Sequence, residues 1–226
     1  MRVARGLFFW LVFALAADAS ARPAPPSSDA RAGAVFERTK QARATYALYS
    51  WNWVKEAGSG AGLQWAAEFH RGSLHRVETP NIRVVADCAA GTGTMLQVDS
   101  GETRSGPGIA GAACGINSNF QIRRLQWLGR KATRFGPLER LRILDPANER
   151  LYAVDRDGIL VAAEIFPRDG AGGGCLQQEP LALEKTLPAQ NIFSEESLGK
   201  SFAAPRFRSP PKAYSGDLWL GSRRCV

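Results

Sequence analysis

An α+β fold dominated by antiparallel strands is what this sequence predicts, and three observations carry the prediction. Apolar and polar residues alternate along several short runs, the period of a half-buried strand. Turn residues separate those runs by gaps shorter than the dozen or more residues a parallel crossover needs. ERLRILD at 139–145 is echoed by ERLYAVD at 149–155, the ten-residue offset of a β-meander.

Met1, Arg2 and Arg5, an apolar run over 7–17, and Ala19-Ser20-Ala21 form the pattern of a secretory signal peptide, residues 1–21. The apolar run is about 11 residues, short of the roughly 20 that span a bilayer as a helix. Cleavage is expected after Ala21, and no Cys follows to carry a lipid. RPAPPSS at 22–28 reads as a disordered leader. One β-rich domain is expected over 29–201, with an extended tail over 202–226.

A helix is expected over 29–44, capped by Ser28 or Asp29, with Ala30, Ala34, Val35, Thr39 and Ala42 near one stripe. Tyr49, Trp51 and Trp53 then share one face of a strand, against Ser50 and Asn52 on the other. A glycine-rich turn at 58–62 leads to a second strand carrying Leu63, Trp65, Ala67 and Phe69 on one face. Strands at 74–79, 82–88 and 94–98 complete a first run of five. Residues 100–122 are glycine-rich and irregular, and no helix is expected there. The second run, 123–166, turns at Asp145-Pro146-Ala147-Asn148 and at Asp155-Arg156-Asp157-Gly158. A loop at 168–174 precedes a last strand or helix over 176–186, then a helical turn at 193–198 capped by Ser194. Pro205, Pro210 and Pro211 make the tail extended, wrapping the surface.

Cys88, Cys114, Cys175 and Cys225 all lie in the exported part, and an even count there favours disulfides. No C-x-x-C suggests zinc or a redox centre. Of three connectivities, Cys88–Cys114 and Cys175–Cys225 are favoured because each pair flanks an irregular excursion. The formal charge is +8, and removing Arg2, Arg5 and Asp18 leaves +7. Such a balance suits anionic partners, including peripheral contact with a membrane surface, although scattered basic residues also describe a merely solvated surface. The compartment disfavours nucleic acid.

Motifs for chemistry are sparse. Residues 106–111 match G-x-G-x-x-G, but the preceding segment is polar and no convincing helix follows, so a flexible loop is expected. His70 and His75 flank a turn, and two imidazoles are too few for a closed metal site; surface histidines are expected. A hydrolase would have to draw on one of them, and no G-x-S-x-G is present. Asp145, Asp155 and Asp157 read as turn residues and not as a catalytic carboxylate pair. Trp51, Trp53, Trp65 and Phe69 admit two readings. They fill a core between sheet and helix, or they line a curved sheet whose aromatic face takes acyl chains.

The order of signal peptide, helix, antiparallel strands, irregular middle and second meander resembles the lipoprotein-localisation superfamily (LolA, LolB and the N-terminal domain of RseB, also called MucB). Its most specific part is Gly129-Arg130, a strand with Arg140 and Arg142, then Asp145, and Asp155-Arg156-Asp157-Gly158 before an apolar strand. The resemblance implies a curved open antiparallel sheet, a half-barrel, with an apolar concavity for lipid chains, no catalytic residues and no cofactor. With the signal peptide cleaved near Ala21 a periplasmic or secreted protein is expected, whose partner is a lipid or lipoprotein acyl chain, or an envelope protein. A regulatory interaction protein without lipid and an envelope hydrolase are the alternatives. The oligomeric state stays open.

Overall fold

The computed structural model describes residues 28–41, 44–55, 61–114, 121–168, 174–219 and 225. The expected signal peptide, residues 22–27 of the leader and 58–60 of the glycine turn lie outside these. No helix among the described residues is long and apolar enough to cross a membrane.

Eleven antiparallel strands form one open sheet. The first run contains β1 (Tyr46–Lys55), β2 (Ala61–Arg71), β3 (Leu74–Glu78), β4 (Ile82–Asp87), β5 (Thr92–Gln97) and β6 (Thr103–Ser105). The second contains β7 (Arg124–Thr133), β8 (Gly136–Leu144), β9 (Asn148–Val154) and β10 (Leu160–Pro167). β11 (Cys175–Glu184) is the strand that joins them, because it pairs with β1 on one side and β10 on the other. The spatial order is β6-β5-β4-β3-β2-β1-β11-β10-β9-β8-β7. β10 and β11 pair only at Glu164 with Gln177 and Ile165 with Leu176.

Directly paired residues share a face of the sheet, which fixes what lies where. Ala47 pairs with Phe69, Phe69 with Arg76, Arg76 with Val85, and Val85 with Thr94. Trp53 pairs with Gln177, Gln177 with Glu164, Glu164 with Leu151, and Leu151 with Arg142. One face is thus followed across the sheet, and the chain after β11 lies on it. The helices take the opposite face. α1 (Ser28–Gln41) packs Ala32, Val35 and Phe36 against Leu141, Ile143 and Val154. Of the expected stripe Val35 is buried and Thr39 partly so, Ala30 and Ala34 are exposed, and Ala42 lies outside the described residues.

The expected irregular middle holds a second helix, α2 (Pro107–Ala113), after the three-residue strand β6. PGIAGAA lacks a periodic apolar face, but a helix of small residues can lie close on a sheet. Gly93 makes this possible, because a Cβ there would sit 2.8 Å from the Ala110 nitrogen. The G-x-G-x-x-G stretch is therefore part of a short helix and not a flexible loop.

The aspartate turns are built by their side chains. Asp145 Oδ1 accepts from the backbone N–H of Ala147 at 2.8 Å and Asn148 at 2.7 Å. Asp155 Oδ1 accepts from Asp157 at 2.9 Å and Ile159 at 2.8 Å. Lys185 bridges Asp155 and Asp157. The last strand or helix expected over 176–186 is the strand β11, which ends at Glu184, and the expected helical turn is a 3-10 turn, Glu195–Gly199, with Ser194 preceding it and no side-chain cap. The cysteines meet in two pairs, Cys88 with Cys114 and Cys175 with Cys225, each with Cα atoms 5.7 Å apart. Two disulfides fit an oxidising compartment.

Candidate functional site: an aromatic sheet face under a C-terminal strap

The register of β1 and β2 brings the four expected aromatic residues together. Trp51 lies opposite Trp65, Ala47 opposite Phe69 and Trp53 opposite Leu63. Alternation along each strand then puts Tyr49, Trp51, Trp53, Trp65 and Phe69 on one face. That face is filled. Phe69 is fully buried, Trp51 and Trp53 are 8% and 7% exposed, and Trp65 is partly buried.

What fills it is the chain after β11. The Phe207 ring stacks on Trp65 at 5.0 Å and meets Trp51 edge-on at 5.3 Å. Tyr214 meets Trp53 at 5.2 Å, and Trp219 lies in the same cluster. Ile192 and Ala203 pack on Tyr49 and Phe69. The tail does not simply wrap the surface, as its prolines imply. It is a strap that completes the core. Its one signal in the sequence is density: Phe202, Phe207, Tyr214 and Trp219 in 18 positions of otherwise polar, proline-bearing chain.

Two buried polar networks hold this strap. On β3, Arg76 Nε donates to Glu78 Oε1 at 2.7 Å, and both side chains are wholly buried. Arg76 Nη1 donates to the Ile192 carbonyl at 2.9 Å and Ser197 Oγ at 2.7 Å, and Nη2 donates to the Lys200 carbonyl at 2.8 Å. Glu78 accepts from Ser201 Oγ at 2.6 Å and from the Phe202 and Ala203 amides. Burial lowers the Arg76 pKa, and the facing Glu78 carboxylate opposes that shift. On β10 and β11, Gln177 Nε2 donates to Glu164 Oε1 at 2.9 Å. Trp219 Nε1 donates to the Tyr214 hydroxyl at 3.0 Å, and the Cys225 amide donates to Gln177 Oε1 at 2.9 Å. Burial raises the Tyr214 pKa, and the charge of Glu164 adds to it.

The histidines are not surface residues. His70 Nδ1 lies 3.0 Å from the Ala44 carbonyl, and its ring stacks on Tyr46. His75 is largely buried, edge-on to His70 at 5.6 Å, and burial pushes its pKa down to about 4. Ligand atoms of His75, Cys88 and Cys114 lie within 4.8 Å of one another. Both sulfurs belong to the disulfide, so this group offers no thiolate to a metal.

Two cavities open beside the strap. One of about 300 Å³ lies among β4, β5, Phe193 and Glu195. The other, about 550 Å³, lies between residues 131–135 at the β7–β8 turn, 178–180 of β11, and the strap at Tyr214 and Leu218.

No family model and no curated protein matches the chain. Solved structures do, at low identity. An uncharacterised conserved protein from Thermus thermophilus is 12% identical, with a TM-score of 0.46 and coverage of 72% of this chain and 92% of that one. A LolA superfamily protein from Nitrosomonas europaea is 8% identical, with a TM-score of 0.39 and coverage of 74% and 99%. A chain of the Pseudomonas aeruginosa MucA/MucB complex is 15% identical, with a TM-score of 0.38 and coverage of 73% and 60%. The structural neighbours therefore include members of the superfamily that the strand and turn pattern resembles.

Proposed function

We propose that the protein is an exported, non-catalytic binding module of the bacterial envelope that holds an acyl chain or lipidated protein on its aromatic sheet face. The observation that carries this is the nature of the cover. Trp51, Trp53, Trp65 and Phe69 are closed off by a strap whose described residues form no α-helix or strand, only short 3-10 turns such as Ala204–Arg206. Segments of that kind, with few backbone bonds of their own, open at lower free-energy cost than the strands beneath them. An acyl chain in place of Phe207 and Tyr214 would meet the same apolar rings. The basic surface suits an anionic membrane, and the disulfides suit the periplasm.

Native mass spectrometry of gently purified protein is expected to report a co-purified lipid, and delipidated protein is expected to take up a fluorescent fatty acid. Phe207→Ala, which removes the ring lying between Trp65 and Trp51, is expected to strengthen that uptake. Folded protein that takes up no probe would refute the reading.

The filled face itself favours a second reading, a regulatory or structural envelope protein of the RseB type that binds a partner chain and no lipid. Tryptophan emission already blue-shifted without ligand and unmoved by lipid would select it.

A further inference from the structure

Resting on the acyl-chain reading, we propose that the 550 Å³ cavity beside the strap is the headgroup site for an amphiphile that bears both a phosphate and a primary amine. Its volume falls within the roughly 300–1,000 Å³ of small-molecule pockets. It is joined to the aromatic face by one side chain, because Tyr214 lines the cavity and also packs on Trp53. Phe135 and Leu218, also in its lining, pack against the same apolar cluster as Trp51 and Trp53. A chain that displaced Tyr214 would therefore run from this cavity onto the aromatic face.

The charges around it are divided by wall. Lys131 and Arg134 stand on the hairpin side. Lys131 is half-buried and has no ion-pair or hydrogen-bond partner among the described residues. Arg134 donates through Nη2 to the Pro180 carbonyl at 2.7 Å and lies over the Phe135 ring at 4.8 Å, and among the described residues its Nε and Nη1 have no hydrogen-bond partner. Glu179 and Asp217 stand on the β11 and strap side. Glu179 accepts the Ser215 amide at 3.2 Å, and Asp217 is exposed with no partner among the described residues.

A head carrying only negative charge would satisfy the first wall and be repelled by the second, and a purely cationic head would do the reverse. A dipolar head satisfies both. Phosphate matches the guanidinium and ammonium donors. A primary amine, unlike a quaternary one, can also donate hydrogen bonds to the carboxylates.

The test is titration of the full chain, below micelle-forming concentrations, with lysophosphatidylethanolamine, lysophosphatidylglycerol and uncharged dodecyl maltoside, followed by tryptophan emission. The zwitterionic lipid is expected to bind about two- to fivefold more tightly than the anionic one, the upper range of one exposed ion pair. Asp217→Lys should erase that preference. Lys131→Glu should weaken both phospholipids and leave the maltoside unchanged. Equal affinity for the two phospholipids, or indifference to Lys131→Glu, overturns the headgroup site while leaving acyl binding intact. Folded protein that binds none of the three overturns both.

Discussion

Glu164 has no exposed surface and, among the described residues, no cation paired with it; Gln177 donates to it, and the Tyr214 hydroxyl lies against it. Burial raises its pKa, with hydrogen bonds from Tyr214 and Gln177 opposing and the charge of Glu149 adding. A carboxylate raised in this way is held protonated more tightly by the folded state than by the unfolded one. Its contribution is complete below the ordinary value of about 4.3 and is lost as pH rises through the raised value. Glu164→Gln keeps a neutral side chain of the same shape. It is expected to remove this loss, so that its urea midpoint exceeds the parent's in mildly alkaline buffer and matches it in acid. Glu139 behaves in the opposite sense. Burial alone would raise it, but hydrogen bonds and charge from Arg31 and Arg130 outweigh that and bring it down to about 2. The attachment of α1 that depends on Arg31 is then complete above about 4.3 and lost as pH falls toward about 2. Amide exchange in α1 should quicken over that window, and Glu139→Gln should remove the dependence.

Among the elements, the strap depends on the Arg76–Glu78 pair, whose two side chains have no exposed surface. Arg76→Met leaves Glu78 buried without its cation, and a cost of about 3–5 kcal/mol is expected. Limited proteolysis should then cut within 192–203, and the double change Arg76→Met with Glu78→Met should recover much of the loss. α1 depends on a close backbone approach instead. Gly158 has φ +85°, and a Cβ there would run into the Arg38 carbonyl. Gly158→Ala is expected to cost about 1–3 kcal/mol, read from the thermal midpoint. Strands and turns of this kind are written locally: Trp51 and Trp53 alternate, and Asp145 and Asp155 lead turns that their own side chains build. That is why the strand runs and both meanders were legible. α2 was not, because its alanines and glycines carry no period and only Gly93, on a distant strand, makes room for it. The strap was half legible. Its prolines correctly exclude long helices and strands, but which face its aromatics cover depends on pairings more than a hundred positions apart, such as Trp65 with Phe207.

At the scale of the molecule, the sheet and its strap are tied by Cys175 and Cys225, 50 positions apart. Loop-closure entropy for a span of that length is worth about 4 kcal/mol. Cys225→Ser is expected to free the end of the strap before the sheet unfolds. A red shift of tryptophan emission as Trp53 and Trp219 meet water would then come ahead of the loss of strand signal in circular dichroism. β11 has a consequence of another kind, because it is both the last strand made and the only partner on one side of β1. Lys55 pairs with Cys175, 120 positions later in the chain. At synthesis rates of about 5–20 residues per second, the edge of β1 that bears Trp51 and Trp53 waits roughly 6–24 s for its neighbour. For that interval the nascent chain presents an unpaired aromatic strand to its surroundings, and a companion that shields extended apolar segments would find its client there.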